Sequence, residues 1–143
     1  LDTKKIEAEF LNKKLFECIT GEGFLKEGLD LYNDCDLEKD KFSEGGDYYF
    51  KIVFLDASGQ EYDKFKIIEE GDKDSDFIIA CDRGEKLKAK SYPKCFKRKE
   101  SVFYYDSGIK QGSLEISAVS NQGGKIKKWI RKILEKEHRL ARL

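Results

Sequence analysis

Apolar residues recur every three or four positions from residue 3 to residue 19. Ile6, Phe10, Leu11, Leu15, Cys18 and Ile19 fall on one broad face of a helical projection. That spacing predicts an amphipathic helix, with Asp2 or Thr3 able to cap its start. Gly21 and Gly23 are placed to stop it. Residues 24–32 fit two readings: Leu25, Leu29 and Tyr32 suit a helical turn, while Leu29 and Leu31 suit a strand. Residues 33–47 are polar and acidic and read as a loop.

The period then changes. Residues 48–55, Tyr-Tyr-Phe-Lys-Ile-Val-Phe-Leu, are aromatic and β-branched, the composition of a pleated, half-buried surface. Tyr48, Phe50, Ile52 and Phe54 must face a core, because residues two apart share one side of a strand. Asp56-Ala57-Ser58-Gly59 carries Asp first and Gly fourth, the chemistry of a type I turn. Residues 61–68, with Tyr62, Phe65, Ile67 and Ile68, are expected to return as the second strand of a hairpin. Residues 77–81 read as a short apolar strand. Residues 87–92 read as a half-exposed strand with a lysine face, ended by the sole proline, Pro93. Residues 102–105 and 114–119 are two further strands, joined across Asp106-Ser107-Gly108 and Gly112.

Gly123-Gly124 then releases the chain into a final helix. Ile126, Trp129, Ile130, Ile133, Leu134 and Leu140 recur there at helical spacing among lysines and arginines. The expected fold is α+β: an antiparallel sheet of about six strands, sandwich-like or a meander. An N-terminal helix precedes it and a basic amphipathic C-terminal helix follows. Residues 1–143 read as a single domain, with an acidic body over 1–122 and the basic helix over 123–143.

Charge sharpens the division. Residues 125–143 hold eight Lys or Arg against two Glu, a local charge of +6. The chain as a whole has a formal charge of 0, so residues 1–124 carry −6, from 20 basic and 26 acidic residues. A basic amphipathic helix is a docking element. Its own body, a protein partner, nucleic acid and an anionic membrane are the surfaces it could meet. Two tensions mark it. Glu137 falls within the apolar stripe, so either the stripe is dry only to Leu134 or Glu137 meets a basic group. Lys125, Lys127 and Lys128 crowd the helix N-terminus, where the macrodipole disfavours cations. An anion beside Gly123-Gly124-Lys125 would relieve that, supplied by the body's carboxylates, a phosphate or a lipid headgroup.

Composition excludes some classes. Ten Phe, seven Tyr and one Trp argue against disorder despite 39% charged residues. No apolar run approaches the roughly 20 residues of a membrane span. The first residues are polar, unlike a signal peptide, and no Met occurs. A processed or trimmed chain, or a fragment, is the expectation. Cys18, Cys35, Cys81 and Cys95 lie too far apart for CxxC redox or zinc-ribbon chemistry. They are either four reduced thiols or two disulfides. Pairing neighbours would close two modest loops, but three connectivities are open. Disulfides would favour an extracytoplasmic or secreted location, reduced thiols a cytoplasmic one.

Catalytic and metal motifs fail on inspection. An EF-hand begun at Asp34 would place Lys39 and Gly45 where Gly and Glu are needed. One begun at Asp72 would place Phe77 and Arg83 there. His138 is the only histidine and sits on the charged side of the last helix, which leaves nucleophilic catalysis poorly supported. Gly21-Glu22-Gly23 lacks the third glycine and the preceding strand of a dinucleotide fingerprint. No cofactor and no metal are implied, and an enzyme is not expected.

Residues 86–99 interleave lysines with Tyr92 and Phe96, a composition that single-stranded nucleic-acid surfaces use. A solvated strand face explains the same pattern. Residues 50–61, Phe-Lys-Ile-Val-Phe-Leu-Asp-Ala-Ser-Gly-Gln-Glu, resemble hairpins in small extracytoplasmic β-sandwich modules of bacteria. The resemblance implies a hairpin and no site.

The sequence therefore points to a non-enzymatic protein-binding or assembly module. It would contact a partner through the basic helix and exposed strand faces, with Trp129, Arg131, Lys132, Lys136 and Arg139 as contact residues. The alternative is a binder of nucleic acid or acidic membrane, with Lys125, Lys127, Lys128, Lys94, Lys97 and Arg98 as anion contacts.

Overall fold

A computed structural model describes residues 3–43, 45–73, 75–83, 92–121, 133 and 135–137. The first helix, α1 (Thr3–Ile19), spans the residues that the apolar spacing marks. Its buried face is centred slightly differently. Ala8, Leu11, Leu15 and Ile19 are buried, together with Glu7 and Asn12, while Ile6 and Phe10 lie half-buried at the flank. Polar side chains can sit on that face only because they are bonded. The Asn12 amide Nδ2 donates to the carbonyls of Phe96 (3.0 Å) and Ile116 (2.7 Å), tying the helix to two strands.

The sheet has six strands: β1 (Thr20–Gly21), β2 (Phe24–Leu25), β3 (Tyr48–Leu55), β4 (Ile68–Gly71), β5 (Lys94–Tyr105) and β6 (Ile109–Ser120). Their order across the sheet is β1-β2-β5-β6-β3-β4. The fold is α+β, with one strongly curled half-barrel sheet. Contrary to the antiparallel expectation, the sheet is mixed. β2 runs parallel to β5, with Phe24 opposite Phe103. The Phe103 N–H donates to the Gly23 carbonyl (2.8 Å), and the Phe24 ring lies against those of Phe103 and Tyr105. Side-chain stacking and backbone bonding together fix this short pairing.

β3 has the residues expected and pairs with β6 from Tyr48↔Ser120 to Leu55↔Ser113. Phe50, Ile52 and Phe54 are fully buried facing α1, with Leu114, Ile116 and Ala118 beside them. Each such side chain contributes about 1.5–3 kcal/mol by leaving water. The turn after β3 also forms. Gly59 N–H donates to the Asp56 carbonyl (2.9 Å), and Gly59 takes φ +82°. Gly112 lies inside β6 rather than at a turn. A Cβ there would stand 2.5 Å from the Phe54 ring and from the Leu55 carbonyl, so only glycine lets that ring lie flat on the strand.

Two strand expectations fail. Beyond one antiparallel bridge, Leu55↔Glu61, residues 61–67 do not pair with β3 as a second strand. A tight turn (Phe65 N–H to Tyr62 carbonyl, 3.0 Å) swings the Tyr62 and Phe65 rings onto Phe54, centroids 5.9 and 6.0 Å away. The partner of β3 is instead β4, with Ile52 opposite Ile68. Residues 77–81 belong to a helix, here α3 (Ser75–Arg83). Phe77, Ala80 and Cys81 pack with Tyr49, Val119 and Cys95 on the outer face of the sheet. A five-residue apolar run does not distinguish strand from helix by period. Residues 102–105 are only the end of β5, which also takes in the basic stretch from Lys94. Of the lysine-faced strand expected over 87–92, residues 87–91 lie outside the described residues. A helical turn, α2 (Leu31–Asp34), and a 3-10 turn (Lys39–Phe42) occupy the expected loop.

Both neighbour disulfides are formed. Cys18–Cys35 ties α1 to the segment after α2, with Cα atoms 5.5 Å apart. Cys81–Cys95 ties α3 to β5, with Cα atoms 5.0 Å apart. Two disulfides suggest an oxidising, extracytoplasmic setting. Among the described residues no helix is long and apolar enough to cross a membrane.

Candidate functional site

Strand alternation sorts the charged and aromatic residues of β5 onto two faces. Lys94, Phe96, Arg98, Glu100, Val102 and Tyr104 point toward α1. Lys97, Lys99, Ser101, Phe103 and Tyr105 point outward. The three anion candidates of this strand are thus divided: Lys94 and Arg98 lie inside, Lys97 outside. Arg98 is also engaged. Its Nε is 2.6 Å from the Glu100 carboxylate, and its guanidinium lies 4.0 Å from the centroid of the Phe16 ring.

Trp129, Arg131, Lys132 and Arg139, and likewise Lys125, Lys127 and Lys128, lie outside the described residues, as do Gly123, Gly124 and His138. Lys136 is helical and exposed, as are Glu135 and Glu137. An exposed Glu137 removes the need for a buried partner, and the stripe is no longer dry at that position. Ile133 is 37% exposed and lines a groove against α1.

The outer sheet face has a graded character. α3 covers its Tyr49–Val119–Cys95 end. Polar rows follow: Lys51–Ser117–Lys97, then Val53–Glu115–Lys99. At the β5–β6 hairpin the face turns apolar. Phe103 is 43% exposed, Tyr105 63% and Ile109 60%. Phe24 leans on this group, stacked on Tyr105 with ring centroids 5.0 Å apart and planes 13° from parallel. The strands hold these rings in place from behind, because Val102 and Tyr104 between them are buried. At about 150–250 Å² per large side chain, the exposed fractions of these three leave roughly 300 Å² of contiguous apolar surface in water. That equals the largest patch of a typical monomer, which is often functional.

No motif announces this patch. The run Phe103-Tyr104-Tyr105 was nevertheless a signal, since three consecutive aromatics in a strand cannot all face one core.

Three tyrosine–carboxylate pairs tie elements together, Tyr48–Glu7 buried on the α1 side, and Tyr32–Glu70 and the outer-face Tyr49–Glu69 part-buried. Tyr48 donates its hydroxyl to the buried Glu7 (2.6 Å), Tyr49 to Glu69 (2.7 Å) and Tyr32 to Glu70 (3.0 Å). Burial first, then the bonded carboxylate, pushes all three phenols up, Tyr32 to about 12. They therefore stay protonated as donors. These pairs join α1, the region of α2 and β4 to the sheet and read as structural. In the turn after β3, the Ser58 hydroxyl and then the Gln60 N–H hold the Asp56 carboxyl below its usual range. No group of His, Cys, Asp and Glu able to hold a metal ion occurs among the described residues.

Comparison with protein families, with characterised proteins and with solved structures gives no match.

Proposed function

We propose that the protein is a non-enzymatic binding module that takes a protein partner on the outer face of its sheet. Phe103, Tyr105 and Ile109, backed by Phe24, would be the contact centre. The observation that carries this reading is the exposure of three large apolar side chains on one sheet face, at the end of a strand that a disulfide ties to α3. Aromatic residues at the centre of a patch are the usual anchors of protein interfaces. A patch of roughly 300 Å² is less than half of the about 800 Å² each partner gives to a standard interface, so a polar rim must complete it. Lys99, Ser101 and Gln111 stand beside it on the outer face of β5 and β6, with Lys97 further along β5. The outward face of the C-terminal helix, with Lys136, is a second contact in this reading. The partner shares the oxidising setting that the disulfides imply.

The second reading, an anionic surface, rests on Lys97 and Lys99 standing on the same side of β5 as the aromatic rings. Salt separates the two. Neutralising phosphates makes binding fall steeply with ionic strength, whereas an apolar contact holds. The test is the double substitution Phe103→Ser with Tyr105→Ser. Both side chains are exposed, so the fold should keep its stability while binding to the native partner is lost, and wild-type binding should survive high salt. Undiminished binding by the double variant would refute the assignment.

A further inference from the structure

A second surface has an identifiable occupant. A groove of about 590 Å³ runs between α1 and the segment 36–42. Phe10, Leu11, Leu37, Phe42 and Tyr48 make its apolar floor and walls, and Ile133 closes one side. We propose that this groove is the seat of the chain's own C-terminal helix, residues 125–143. Its apolar stripe docks against α1, and its basic face remains outward.

Three observations carry the proposal. First, Ile133 is helical and already lines the groove. Trp129 and Ile130 precede it by four and three residues, so on a helix they share its face. Second, Glu137, one turn beyond Ile133, is exposed. The dry contact therefore ends between Ile133 and Glu137, and Glu137 is where the apolar stripe of the sequence is also broken. Third, the charges match. The groove carries Glu17, Asp36 and Glu38, which make no ion pair among the described residues. The lining also holds Lys13 and Lys14, the latter donating to the Asp36 carbonyl (2.7 Å), while Lys41 is engaged 3.4 Å from the Asp47 carboxylate. The segment carries +6 and residues 1–124 carry −6, and Glu17, Asp36 and Glu38 are the groove carboxylates that its cations can meet. The proposal concerns a different face from the aromatic patch, so either can fail alone.

Trp129 is the only tryptophan, which makes it a reporter of docking in the intact chain. Its emission should be blue-shifted and poorly quenched by acrylamide, unchanged on dilution. Ile133→Asp should shift emission to the red and expose Trp129 to quencher. It removes the partly buried contact of Ile133, 37% exposed, which lowers the docked-to-released ratio on the order of tenfold. Glu17→Lys with Glu38→Lys, both at exposed positions, should release Trp129 as well without touching the apolar floor. A wild-type Trp129 that is red-shifted and freely quenched would overturn the proposal. So would protection that persists in both variants. Protection that fades on dilution, together with a dimer in sedimentation, would instead assign the groove to the helix of a second copy.

Discussion

Asn12→Asp changes one atom of a clamp and should expose how α1 is held to the sheet. Asn12 is fully buried, and its Nδ2 serves two carbonyls at 3.0 and 2.7 Å. Its Oδ1 has no partner, so the amide orientation follows from the two acceptors. A carboxylate in its place would set a negative oxygen against both carbonyls with no water to screen it. A protonated carboxyl could donate to only one of them.

Full burial lifts a carboxyl by roughly 3–5 pH units, and each unit corresponds to about 1.4 kcal/mol. The lower end gives a cost of about 4 kcal/mol for the ionised form, with about 1 kcal/mol more for the lost hydrogen bond. The sign follows from the raised folded-state value. Below the unfolded carboxyl range the side chain is protonated in both states, so only the hydrogen-bond term remains. As pH rises through the window between the unfolded and folded values, the larger cost grows in. Urea unfolding of wild type and variant at about pH 3.5 and pH 7.5 reads both, since m-values should match and midpoints should not. The expected difference is about 1 kcal/mol in acid and about 5 kcal/mol at the higher pH. A loss of stability that is the same at both pH values would refute the clamp, as would no loss at all.

Two further outcomes follow from the same contacts. Tyr32, Tyr48 and Tyr49 are held protonated in the fold by burial and by their carboxylate partners. Their contribution is complete below about pH 10, where unfolded tyrosine titrates, and is lost as pH rises toward the folded values. Stability measured from pH 8 upward should therefore fall above about pH 10. Tyr48→Phe should soften that fall and cost about 1.5–3 kcal/mol at neutral pH, because it strips the donor from a buried carboxylate. A flat alkaline profile would contradict the pairs. Reduction should lower the denaturation midpoint. Cys18–Cys35 and Cys81–Cys95 close separations of 17 and 14 residues, each removing about 3 kcal/mol of loop entropy from the unfolded chain. Four alkylatable thiols in native protein would contradict both the bridges and the oxidising setting.

Where one local pattern decided the outcome, the sequence was legible. The 3.6 period of α1, the aromatic period of β3 and the Asp56–Gly59 turn each had one structural solution. The failures share a cause. Tyr62 and Phe65 left the ladder because the Phe54 ring offered them more burial than strand pairing did. Phe77–Cys81 is helical because a helix matches Phe77, Ala80 and Cys81 to Tyr49 and Val119. Both choices depend on partners distant in sequence. The basic stretch of β5 misled because composition does not say which parity faces α1, and parity is what divides Lys97 from Arg98. Register also hid the aromatic patch. Phe103 and Tyr105 are outward only because Val102 and Tyr104 pack inside, and Phe24 joins them only through a parallel pairing that no local signal marks.

The claim that matters most is that the hairpin end of the outer sheet face meets a protein. A photo-crosslinking residue in place of Tyr105 tests it most directly, with the same residue in place of Glu9, on the exposed side of α1, as control. Irradiated in the protein's native surroundings, the Tyr105 position should give one discrete protein adduct. It should persist in salt of about 0.5 M, where exposed charges are screened within a few ångströms, and Phe103→Ser should abolish it. No adduct at Tyr105, equal adducts at both positions, or an adduct that vanishes with salt would contradict the account.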